Sequence, residues 1–92
     1  MNRYKMYFDE RKGKPVQVIE CDLKEARRAA DELANEAGRK VVLAQVSTHN
    51  ARWQLEIGTF TGNRMIVDQF GDKYVMSEDY SKMEYYRKGG AS

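Results

Sequence analysis

The chain has 92 residues, 41% of them hydrophobic and 33% charged, which leaves room for one domain with one core and excludes a chain disordered throughout. Sixteen basic against 14 acidic residues give a formal net charge of +2, excluding both an acidic nucleic-acid mimic and a histone-like polycation. A single cysteine, Cys21, excludes an internal disulfide and fits a reducing compartment.

Residues 2–9 alternate, with Tyr4, Met6 and Phe8 on one side and Arg3, Lys5, Tyr7 and Asp9 on the other, the period of a half-buried strand. Glu10-Arg11-Lys12-Gly13-Lys14-Pro15 carries the glycine and proline of a turn, and Val16 to Cys21 resumes as a second strand. The two form an N-terminal β-hairpin with a basic tip. Within residues 1–20 the cations Arg3, Lys5, Arg11, Lys12 and Lys14 face only Asp9, Glu10 and Glu20, so the positive excess of the chain resides there.

Leu23 to Ala37 reads as a long helix. Asp22 is a good N-cap with Glu25 three residues later, and Gly38 supplies a left-handed terminus. Leu23, Ala26, Ala30, Leu33 and Ala37 recur at helical spacing, and the small alanines imply close docking on a sheet. Val41 to Val46 is apolar on both faces and reads as a central strand. Polar Ser47-Thr48-His49-Asn50-Ala51 makes a turn. Trp53, Leu55 and Ile57 then alternate with Gln54 and Glu56, and after Thr61-Gly62-Asn63 a further strand is expected from Arg64 to Phe70. These make a three-stranded antiparallel meander, with Trp53 on the core side. Gly71-Asp72-Lys73 breaks it, and Tyr74-Val75-Met76 is an edge strand or a loop. From Ser77, the spacing of Tyr80, Met83 and Tyr86 or Arg87 predicts a short C-terminal helix. The expectation is one α+β domain over residues 1–88 with a flexible tail at 89–92.

Little in this sequence carries catalytic chemistry. Cys21 and His49 are single residues in different elements, and zinc needs about four such ligands at defined spacing. Cys21 is read as a small packed residue and His49 as a turn residue. No glycine-rich phosphate loop is present. The expectation is therefore no enzyme, no metal and no cofactor. No apolar run is long enough to span a bilayer, and Met1-Asn2-Arg3-Tyr4-Lys5 does not open a signal peptide, so a cytoplasmic protein without a membrane anchor is expected.

Binding residues are easier to name. Arg11, Lys12 and Lys14 flank Gly13 and would suit a phosphate backbone or an acidic protein surface. Lys24, Arg27 and Arg28 lie on the helix in a row mixed with Asp31, Glu32 and Glu36, a pattern read as a solvated face whose cations remain available. Tyr85 and Tyr86 diverge on any helix, so at least one is exposed and suited to an interface.

From Asp22 to Lys88 the order of helix, three strands and helix resembles a double-stranded-RNA-binding domain. Where that family has a lysine cluster at its last helix, this chain has Met76-Ser77-Glu78-Asp79-Tyr80. The compact hairpin, the capped helix Asp22-Leu23-Lys24-Glu25-Ala26-Arg27-Arg28 and the meander also resemble small phage-encoded anti-CRISPR proteins. That resemblance implies a non-catalytic inhibitor docking on a larger protein or protein–nucleic-acid complex. Direct RNA or DNA binding and self-association as a structural protein are the alternatives, with the chain a monomer or a homodimer.

Overall fold

A computed structural model describes residues 1–86 of the chain; the expected tail at 89–92, with Arg87 and Lys88, lies outside the described residues. Strand β1 (Asn2–Phe8) turns back into β2 (Gln17–Cys21), as the alternating pattern implies. Helix α1 (Leu23–Ala37) starts at Asp22, whose carboxylate accepts the Glu25 N–H at 2.9 Å, and ends at Gly38 in the left-handed conformation. Strands β3 (Val41–Val46), β4 (Gln54–Gly62), β5 (Met65–Val67), β6 (Lys73–Met76) and β7 (Met83–Tyr85) follow. All are antiparallel neighbours in one seven-stranded sheet of order β2-β1-β3-β4-β5-β6-β7. The protein is thus α+β, with a single described helix on one face of that sheet.

The core lies between the two. Ala26, Ala30 and Ala34 of α1 meet Tyr4, Met6, Val41, Leu43, Phe60, Ile66, Met76 and Tyr80. Alanines on the inner stripe let the helix approach closely, so most of the buried volume comes from the sheet. Close approach recurs at Gly58, where a Cβ would stand 2.6 Å from Ile66 Cδ1. On the outer face Tyr7, Val42, Ala44 and Val46 are also buried. The Tyr7 hydroxyl donates to Gln54 Oε1 across β3 at 3.1 Å.

Three expectations fail, and the strand expected from Arg64 to Phe70 is cut to β5, Met65–Val67, with Phe70 80% exposed in the turn after it. The first is the C-terminal helix: a turn and β7 stand in its place, Tyr74-Val75-Met76 is strand β6, and the expected three-stranded meander runs on through five strands, β3 to β7. Local side-chain chemistry explains the difference. Asp79 accepts the Ser77 and Ser81 hydroxyls and the Ser81 N–H, and Ser77 Oγ accepts the Lys82 N–H. These bonds offer the backbone a turn in place of a helix, and Tyr80 takes a left-handed φ of 62° within it. With that helix goes the layout of a double-stranded-RNA-binding domain.

The second is Trp53. Its N–H donates to Asn50 O and its carbonyl accepts the Ser47 N–H, so it belongs to the end of the β3–β4 hairpin. It is 67% exposed, as is Leu55, and neither joins the buried cluster. The third is Asp31, read as part of a solvated row and found 2% exposed. Its Oδ1 accepts the Arg64 N–H at 3.0 Å and its Oδ2 the Tyr80 hydroxyl at 2.6 Å. One helical turn on, Asn35 Oδ1 accepts the Asn63 N–H at 2.9 Å. Asn63 and Arg64 both have positive φ, 55° and 63°, the mirror-image turn that suits a hairpin's twist. The helix thus holds the β4–β5 turn by two consecutive amides. Gly62 is required beside it, since a Cβ there would lie 2.7 Å from Asn35 Oδ1.

Candidate functional site

The β1–β2 loop is stabilised by backbone geometry, with Gly13 at φ 71° and Asp9 at φ 66°. The Asp9 N–H donates to the Lys40 carbonyl at 2.8 Å, because β1 and β3 are neighbours and the loop after α1 enters β3 there. This contact joins a second basic segment, Arg39-Lys40, to the first. The sequence reading missed both residues. Only the pairing of Phe8 with Val41 brings them to the start of the hairpin loop, at Asp9.

The 9–16 loop, which carries Arg11, Lys12 and Lys14, and the Arg39-Lys40 segment therefore meet where Asp9 contacts both Arg39 and Lys40. Two of these cations are held. Arg39 pairs with Asp9 and lies over the Phe8 ring at 4.4 Å; Arg11 Nε stands 3.6 Å from Glu56 Oε1 on β4. Lys12, Lys14 and Lys40 are exposed, with no described carboxylate within ion-pair distance. Two anchored arginines beside three solvated lysines can attract an anionic surface at long range and hold it by charge-assisted hydrogen bonds.

Lys24, Arg27 and Arg28 lie elsewhere. All three reach the β6–β7 turn: Lys24 Nζ is 3.9 Å from Asp79 Oδ2, Arg27 donates to the Tyr80 carbonyl at 3.1 Å, and the Arg28 guanidinium is 5.9 Å from the Tyr80 ring centre. The structure therefore brings these three together, though away from the hairpin tip. Arg27 is half-buried, and desolvation lowers its pKa. The Tyr80 hydroxyl is pushed up to about 12, first by burial and then by its bond to the Asp31 carboxylate. Hydrogen bonds from Ser81 and Ser77 hold the Asp79 carboxyl well below its ordinary range.

Tyr85 and Tyr86 are exposed at the β7 edge of the sheet, and Tyr85 packs against Tyr74 with ring centres 5.5 Å apart. At the opposite end of β4, Trp53 and Leu55 border a shallow cavity of about 400 Å³ with Gln45, Ser47 and Thr48. Cys21 is half-buried, and desolvation followed by the charges of Asp22 and Glu25 pushes its thiol up, the direction opposite to an activated nucleophile. His49 sits in the β3–β4 turn, its backbone N–H donating to Ser47 Oγ at 3.2 Å. Among the described residues no group of His, Cys, Asp or Glu side chains gathers to hold a metal ion, and no helix is long and apolar enough to cross a membrane. Compared with protein-family models, curated proteins and solved structures, the chain matches none of them.

Proposed function

We propose that this protein is a non-catalytic binding protein of the inhibitor type, resembling the anti-CRISPR class, that docks on a larger protein or nucleoprotein effector. The observation that carries this reading is the meeting of two basic loops, 9–16 and 38–40, at one end of a well-packed sheet. A partner with an acidic surface or an exposed phosphate backbone has the complementary charge. Lys12, Lys14 and Lys40 steer the encounter, and Arg11 and Arg39 add planar donors suited to carboxylate or phosphate.

Direct binding of RNA or DNA by the same loops is the second reading, since phosphate contacts ask for the same cations. A gel-mobility titration separates the two. An inhibitor binds free nucleic acid poorly and co-purifies with a protein target. A direct nucleic-acid binder shifts free RNA or DNA by itself, and the shift weakens steeply with salt.

A further inference from the structure

Strand β7 is the last strand in the sheet, and no described strand lies beyond it. Its hydrogen-bonding direction follows from its neighbours. The Ser77 N–H donates to the Lys82 carbonyl and the Tyr86 N–H to the Lys73 carbonyl, so the backbone groups of Lys82 and Tyr86 turn inward toward β6. Glu84, opposite Val75 and two residues from each, turns inward as well. The backbone groups of Met83 and Tyr85 therefore point outward, away from the sheet. All three residues of the strand are exposed.

An edge whose outward amides meet no described partner is a template for another strand, and the charges on this one fit its own copy. We propose that β7 pairs antiparallel with β7 of a second copy about a two-fold axis through Met83. In that register Met83 exchanges both backbone hydrogen bonds with Met83 of the second copy. Lys82 falls opposite Glu84 of the second copy, and Glu84 opposite Lys82, at close non-hydrogen-bonded positions where side chains interact most directly. An axis through Glu84 would instead set two like carboxylates face to face. The interface is isologous and closed, so it stops at the dimer. Its short strand makes a weak association, in the range of small transient interfaces. The proposal does not rest on the basic end, which lies on other strands.

The test is sedimentation of the full chain from about 10 µM to about 1 mM, bracketing a weak dissociation constant. Wild type should show a reversible monomer–dimer equilibrium. Lys82→Glu alone and Glu84→Lys alone each put like charges at both positions and should weaken self-association about tenfold. An equimolar mixture of the two variants restores opposite charges at both positions and should form a heterodimer at least as readily as wild type. Both sites are exposed, so unchanged melting temperatures serve as the folding control. A strictly monomeric wild type, single variants that dimerise like wild type, a mixture that fails to associate, or a ladder of higher oligomers would each overturn the proposal.

Discussion

Asp31 is an acidic residue, buried and yet well satisfied, since the Tyr80 hydroxyl and the Arg64 N–H both donate to it. Removing one donor while leaving the carboxylate in place should cost more than the net contribution of an ordinary hydrogen bond. Tyr80→Phe is expected to lower stability by about 1–3 kcal/mol in urea unfolding at neutral pH. The same side chain makes stability depend on alkaline pH. Its folded pKa of about 12 lies above the ordinary 10.0, so between those values the unfolded tyrosine has lost its proton while the folded one keeps it. The stabilisation is whole below pH 10.0, is lost as pH rises through about 12, and should be missing from Tyr80→Phe. Parallel stability–pH curves for the two proteins would refute this. Cys21 provides a contrasting case: Cys21→Ser should lower stability modestly and leave binding intact, because the thiol packs against the core edge. Loss of binding in a folded Cys21→Ser protein would contradict that assignment.

At the scale of elements, what was legible in the sequence is what local signals determine. The helix from Leu23 to Ala37 has a capping aspartate, an alanine stripe and a terminal glycine, and the first hairpin has an alternating first strand followed by the turn residues Gly13 and Pro15. The C-terminal segment was misread because Tyr80, Met83 and Tyr86 sit at helical spacing while the Ser77-Asp79-Ser81 bonds favour a turn. Asp31 was misread because it lies one step off the alanine stripe, and only the folded β4–β5 and β6–β7 turns supply its donors. Of the basic end, Arg11, Lys12 and Lys14 could be named in advance; Arg39 and Lys40 depend on strand pairing remote in sequence. Packing likewise sets the cost of truncating core side chains. Leu33 is only partly buried against the cluster whereas Phe60 is fully buried. Phe60→Ala should cost about 3–5 kcal/mol and Leu33→Ala less than about 2 kcal/mol. Equal losses in urea unfolding would show that the helix contributes more of the core than the packing indicates.

For the whole molecule, stability and recognition are carried by different parts. The sheet, α1 and the Asp31 network hold the fold, while the joined loops 9–16 and 38–40 present charge at one end. Replacing Arg11, Lys12 and Lys14 by alanine should therefore leave folding stability within about half a kcal/mol of wild type. Recognition should weaken instead, as steered encounter slows and charge-assisted contacts disappear. The most direct measurement is affinity capture from a bacterial lysate by wild type and by this triple variant, at low and high salt, with retained species identified by mass spectrometry. The proposed function predicts a specific protein or nucleoprotein partner retained by wild type at low salt, reduced at high salt and largely lost from the equally stable variant. A partner retained equally by both proteins, with the same salt dependence, would contradict it.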